Sequence, residues 1–299
     1  MNLADAYYEQ KFENAFLRAN GTEFQTLFER LMGLRYKADF MPCRPWGNRG
    51  DRKNDGFLRS ERSLFQVYAP NSMNEGRARA KITEDFNGAK EHWRKHFDKW
   101  VFVHNATEGL PPHVHKLLLD FEVENPEIRV EPWCLEEFRM IFRGLSDEDK
   151  ASWFGPALNE ATKRTLGFKD LQVVLERISS HTVSITTRVR EVPTGKIEAN
   201  ALSEAVNTLI TQGMSKSYMV EEFLAKWHDE TLGERLAEAF KAEYRRLRTD
   251  HPPNHIYNEL VSWTGGNQRG SAEHELAVYT VIAYYFESCD IFEEPRALG

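Results

Sequence analysis

Three cysteines in 299 residues, Cys43, Cys134 and Cys289, are too few and too widely spaced for a disulfide framework or a paired-cysteine zinc site. Apolar or aromatic neighbours make them read as reduced, buried thiols. No stretch approaches the roughly 18–20 uninterrupted apolar residues that cross a bilayer. The opening Met1-Asn2-Leu3-Ala4-Asp5-Ala6-Tyr7 lacks a basic-then-apolar signal sequence, so a cytoplasmic protein without membrane contact is expected. Positive charge is also in deficit. A net charge of −7 excludes a chain that coats nucleic acid indiscriminately, because displacing phosphate counterions takes an excess of Lys and Arg. A Gly-x-Ser-x-Gly elbow, a metalloprotease helix, a kinase signature, a P-loop and a dinucleotide fingerprint are all missing, and no internal repeat is evident.

What is present suits a folded protein of two domains. Hydrophobic residues make up 41% of the chain and aromatics 12%, enough for buried cores, while 28% charged residues keep the surface wet. Thr22-Glu23-Phe24-Gln25 has a capping-box pattern, and Phe24, Leu27, Phe28 and Leu31 follow at helical spacing, with Gly33 where the helix would end. From Asp39 to Pro70 the pattern changes to strand, loop, strand, turn, strand, with Ser60-Glu61-Arg62-Ser63 closing a hairpin that carries Asp55 and Gln66 on neighbouring strands. A helix over Arg77 to Phe97, a strand over Trp100 to His104, a helix over Val114 to Phe121 and a strand from Ile128 to Trp133 complete an α/β sandwich with helices on a mixed sheet. Beyond about Ser146 the chain is mainly α-helical. The expected division is 1–165 and 166–299, with 183–195 as a junction or, alternatively, a β-hairpin.

Metal-dependent phosphodiester hydrolysis needs oxygen ligands gathered around Mg²⁺ and a cation near the scissile phosphate. An Asp at the start of one strand and a polar residue in the middle of the next meet that need when their alternation agrees. Asp55 and Gln66 have this relation. Arg44, Arg49, Arg52, Lys53 and Arg59 make the surrounding segment basic, so Arg44, Arg49 and Arg52 are candidate nucleic-acid contacts. His113 and His115 follow Pro111-Pro112 and read as residues at a helix start rather than a metal pair.

A helix before a Gly-Asp-rich loop, Asp55-Gly56-Phe57 and Phe65-Gln66-Val67-Tyr68 resembles the restriction-endonuclease-like, or PD-(D/E)xK, nuclease superfamily. The resemblance implies a restriction-endonuclease-like fold over the first part of the chain. It gives Asp55 and Gln66 as ligands of Mg²⁺ or Mn²⁺ and puts Tyr68 where that family has a catalytic Lys. Lys53, Arg44 and Lys81 are the substitutes for the missing charge, and Glu23 or Glu29 on the preceding helix is a further ligand.

A second resemblance covers more of the chain. Arg44-Pro45-Trp46-Gly47-Asn48-Arg49-Gly50-Asp51-Arg52-Lys53-Asn54-Asp55-Gly56, Phe65-Gln66-Val67-Tyr68-Ala69-Pro70 and the closing Ala283-Tyr284-Tyr285-Phe286-Glu287-Ser288-Cys289-Asp290-Ile291-Phe292-Glu293 are similar to proteins of bacterial ABC-three-component conflict systems. This implies anti-phage or anti-plasmid defence in company with an SMC/Rad50-like ABC ATPase and a small middle component, with DNA as target and homo-oligomerisation compatible with it. Tyr284, Phe286, Ile291 and Phe292 are the candidate partner-binding residues, with ordinary helix packing as the alternative. A catalytically inactive nucleic-acid-binding or scaffolding subunit is the alternative to a nuclease.

Overall fold

The computed structural model describes residues 1–43, 53–72, 74–107, 109–179, 196–229, 231–265, 271–288 and 291–293. Along them run α1 (Leu3–Arg18), α2 (Gly21–Tyr36), β1 (Phe40–Pro42), β2 (Gly56–Leu58), β3 (Ser63–Tyr68), α3 (Glu75–Trp93), β4 (Lys99–His104), α4 (Pro112–Glu124) and β5 (Arg129–Trp133). Then follow α5 (Leu135–Arg143), α6 (Asp147–Phe154), α7 (Glu160–Thr165), α8 (Phe168–Ser179), α9 (Lys196–Ala199), α10 (Glu204–Met214), α11 (Tyr218–Lys226), α12 (Leu232–Leu247), α13 (Pro253–Trp263) and α14 (Ala272–Glu287). The chain forms two compact units, Phe12–Lys150 and Met1–Lys11 together with Ala151–Gly299. No helix among the described residues is long and apolar enough to cross a membrane.

In the Phe12–Lys150 unit the strand order is β1-β2-β3-β4-β5. β2 runs antiparallel to β1 and β3, while β3, β4 and β5 are parallel. The parallel steps need crossovers, and α3 and α4 supply them. Both faces are covered, as the apolar strands require. On one face Phe28 of α2 meets Phe40 and Phe65, and Trp133 closes on Phe65 at 5.1 Å. Phe138 of α5 packs against Phe16, Phe24 and Phe28 in the same layer. On the other face Ile82 and Phe86 of α3 and Val114, Leu118 and Phe121 of α4 pack on Leu64, Trp100 and Phe102. The expected mixed sheet between helices is therefore present.

Three local expectations need correction. α2 starts at Gly21, whose N–H donates to Ala69 O at 2.7 Å; backbone from the end of the hairpin thus serves the helix, and Thr22 lies inside its first turn. Gly33 does not end α2. The helix continues to Tyr36, and Lys37, at φ 51°, terminates it by donating its N–H to Gly33 O. α3 begins and ends earlier than expected, its start fixed by Asn74, whose side chain accepts from Arg77 N.

The other unit is helical in its described residues. Its centre is α14, buried along nearly its whole length, as a helix apolar on all sides must be. α10 approaches it so closely that a Cβ on Gly213 would stand 2.5 Å from Tyr279 O, so only glycine fits there. The face expected from Leu202, Val206, Leu209 and Ile210 is buried, as is that of Leu232, Leu236, Phe240 and Tyr244. Residues 183–195 lie outside the described residues.

Candidate functional site

The β2–β3 hairpin brings Asp55 and Gln66 together. Gly56 pairs with Phe65, and one step further Asp55 N–H donates to Phe65 O at 2.9 Å. Gln66 Nε2 donates to Asp55 Oδ2 at 2.7 Å, and the Val67 backbone N–H donates to the same oxygen at 2.7 Å. Both side chains are buried, and burying a carboxylate is tolerable because two donors answer its charge. Gln66 Oε1 is not answered: it is buried without a hydrogen-bond partner among the described residues, as is Asn54 Oδ1 in the residue before Asp55.

Alternation then decides which layer this cluster faces. β3 and β4 pair Leu64 with Trp100, Gln66 with Phe102 and Tyr68 with His104, and directly paired residues share a face. Leu64, Trp100 and Phe102 pack against α3, so Gln66 points to the α3 side. There α3 contributes Asp85, fully buried at helical spacing with Ala78, Ile82, Phe86 and Ala89. Lys81 Nζ lies 2.7 Å from Asp85 Oδ1 and Lys53 Nζ 3.1 Å from it. Lys53 also pairs with Glu84, which is mostly exposed.

Lys53 is held along its whole length. Its backbone takes φ 63°, and its side chain crosses α3 at Gly88, where an added Cβ would stand 2.7 Å from Lys53 Cγ. Partial burial alone would depress the Lys53 ammonium, but Glu84 and Asp85 outweigh it and hold its pKa above the ordinary lysine value. Burial pushes the Asp85 carboxyl up against the pull of Lys81 and Lys53. Asp85 was invisible to sequence reasoning, because an acid flanked by Glu84 and two lysine-bearing turns reads as a solvated helix face. Its only signal was the spacing it shares with Ile82 and Phe86.

The remaining candidates are dispersed. Tyr68 is half-buried and its ring lies 6.1 Å from Phe102, so it serves as a packing aromatic. Glu29, paired with Gln25 at 3.3 Å, sits on α2, whose Phe28 packs on the Phe65 face; its helix is in the layer opposite to Gln66. Glu23, also on α2, is exposed. Arg44, Arg49 and Arg52 lie outside the described residues. Cys43 and Cys134 are half-buried rather than fully enclosed.

Of the four partner-binding candidates, three are enclosed within the described residues. Phe286, Ile291 and Phe292 are buried, with the Phe292 ring 5.2 Å from Tyr244 and 5.6 Å from Phe286, and only Tyr284 keeps some surface. Lys196 Nζ ties the end of α14 to Ile291 by donating to Phe286 O and Ile291 O, each at 2.7 Å. Four aromatic or apolar residues so near one another in the chain read equally as core or as interface; here Phe286, Ile291 and Phe292 are packed inside the unit and Tyr284 is half-buried.

The donor set near Asp55 suits a hard divalent ion. Among the described residues no three His, Cys, Asp or Glu side chains gather as a metal cluster. Mg²⁺ needs less, since it keeps several waters and binds through one or two carboxylates plus phosphate oxygens. One carboxylate and the unanswered amide oxygen Gln66 Oε1 are chemically of that kind.

Comparison with known proteins bears on the helical part. No curated protein and no solved structure matches the chain. Residues 169–293, from α8 to the tail, match the family model of C-terminal domain 10 of the ABC-three component (ABC-3C) systems, which supports an ABC-3C C-terminal domain in this part of the chain.

Proposed function

We propose that the protein is an effector of an ABC-three component defence system against phages or plasmids, and that its Phe12–Lys150 unit is a restriction-endonuclease-like, metal-dependent DNA endonuclease. An SMC/Rad50-like ABC ATPase and a small middle component are its partners on this reading. The observation that carries it is the buried Asp55–Gln66 pair with Gln66 Oε1 left unanswered beside it. The helix before the hairpin and the mixed sheet between helices agree with the same reading.

Asp55 and Gln66 would hold Mg²⁺ or Mn²⁺. When bound, such an ion supplies an activated water and stabilises charge on a phosphate. The chain's own part is to fix the ligands and to keep positive charge nearby. The hairpin register fixes Asp55 against Gln66, and Val67 N–H orients the carboxylate. Lys53 and Lys81, anchored on Asp85, stand in for the lysine that Tyr68 replaces. Glu84 opposes this only weakly, because an exposed ion pair is screened by water and salt.

A second reading, a subunit that binds nucleic acid or scaffolds the complex without cutting, is favoured by one observation: Tyr68 packs on Phe102. Purified protein, its neighbouring gene products, DNA and Mg²⁺ or Mn²⁺ separate the two. The nuclease reading expects metal-dependent nicking that Asp55→Ala abolishes. Equal cleavage by wild type and Asp55→Ala would sink the site. DNA binding and defence that persist in both Asp55→Ala and Gln66→Ala, without nicking, would establish the second reading.

A further inference from the structure

The segment matched by the C-terminal domain model begins at residue 169, yet buried polar groups within it are satisfied by residues from the opposite end of the sequence. Ala6, Tyr7, Tyr8, Glu9, Gln10 and Lys11, the middle of α1, are all buried. Three of the six are strongly polar. Gln10 Nε2 donates to Asn258 Oδ1 at 2.8 Å, and Tyr279 OH donates to Gln10 Oε1 at 3.0 Å. Lys11 Nζ lies 2.6 Å from Glu275 Oε1, with both side chains less than a tenth exposed. Tyr8 OH donates to Gly155 O at 3.1 Å, and the Met1 ammonium meets Glu204.

Burying a carboxylate and an ammonium costs several kcal/mol each unless they answer one another. Glu275, Asn258 and Tyr279 are nearly inaccessible, so α13 and α14 carry a surface that cannot stand bare: without α1 it would hold an acid deprived of its Lys11 partner and an amide deprived of Gln10. We propose that the face of α13 and α14 bearing Asn258, Glu275 and Tyr279 is a helix-acceptor surface, that its occupant is residues 1–11 of the same chain, and that Gln10 and Lys11 are the side chains it reads. The C-terminal domain is then complete only as a discontinuous unit. This inference is independent of the nuclease reading and survives if that reading fails.

Two experiments test it. First, the chain lacking residues 1–11 is titrated with a fluorescein-labelled peptide of residues 1–18 and followed by anisotropy. Saturable binding is expected, weakened at least about tenfold by Lys11→Glu in the peptide and recovered by Glu275→Lys in the protein. Equal binding of the two peptides, or a truncated chain that keeps the wild-type unfolding midpoint, overturns the proposal. Second, should the truncated chain fail to fold, the intact chain decides through Lys11→Met, Glu275→Leu and the double variant. Each single change is expected to lower the unfolding midpoint by roughly 6–20 °C, and the double variant by clearly less than their sum. Additive losses overturn the pairing. A concentration-dependent dimer of the intact chain that the peptide of residues 1–18 dissociates would assign the surface to a second copy and overturn the same-chain occupant.

Discussion

Gln66 is the residue on which the site turns, since its amide nitrogen is spent on Asp55 while its oxygen is left over. Gln66→Glu keeps the shape and exchanges that donor for a second carboxylate. Without metal, two neighbouring acids repel and one must take up a proton, so the variant is expected to unfold at lower urea than wild type. With Mn²⁺ the same variant is expected to recover, because an ion that binds only the folded state stabilises it by mass action. A Gln66→Glu midpoint indifferent to Mn²⁺ would remove the ligand role. His104 offers a separate test at this scale. Burial pushes its pKa down to about 4 from the ordinary 6.5, against the opposing pull of Glu137 and with a small further push from His115. The unfolded chain therefore takes the proton first. Stability is full above about pH 6.5 and is lost as the pH falls towards 4, by on the order of 3 kcal/mol. His104→Gln is expected to flatten the stability profile across that window; an unchanged slope would mean that another group titrates there.

Elements were legible where periodicity or turn chemistry forced them. Alternation and apolar runs announced the five strands of the described sheet, and a turn at Ser60-Glu61-Arg62-Ser63 put Asp55 and Gln66 on neighbouring strands, although Ser63 itself already opens β3 opposite Leu58. What sequence could not give was the layer in which each side chain meets its neighbours. Glu29 stood out as a ligand in the sequence and Asp85 did not, yet α2 packs on the Phe65 face and α3 on the Gln66 face. α3 is also where the site's support is most open to test, through Gly88 and the Lys53 side chain that crosses it. In a helix interior Gly→Ala is worth about 1 kcal/mol of stability. Here the new Cβ would stand 2.7 Å from Lys53 Cγ and dislodge the lysine from Asp85. Gly88→Ala is thus expected to destabilise the wild type and to stabilise the Lys53→Ala variant by up to about 1 kcal/mol. Denaturant titrations of the four proteins read this reversal of sign, and the same effect in both backgrounds would show that Lys53 does not depend on Gly88.

At the scale of the whole molecule, sequence order misled about which residues belong together: residues 1–11 cluster with 151–299, and no local pattern in α1 announces it. Charge is the whole-molecule property that composition does announce. A net −7 opposes DNA everywhere except where basic residues concentrate, around Arg44, Arg49, Arg52, Lys53 and Arg59. If DNA is the target, its affinity must come from that segment, and counterion release makes the contribution countable. Replacing Arg44, Arg49 and Arg52 with alanine is expected to make the slope of log Kobs against log salt shallower by about 2–3, close to one for each phosphate that an arginine no longer neutralises. Alanine at Arg245, Arg246 and Arg248, near the end of α12, removes the same formal charge and is expected to leave the slope alone. Fluorescence anisotropy with one duplex across a salt series measures both. Equal changes in the two triple variants would mean that net charge rather than this segment governs binding, and no change in either would show that these arginines do not hold DNA.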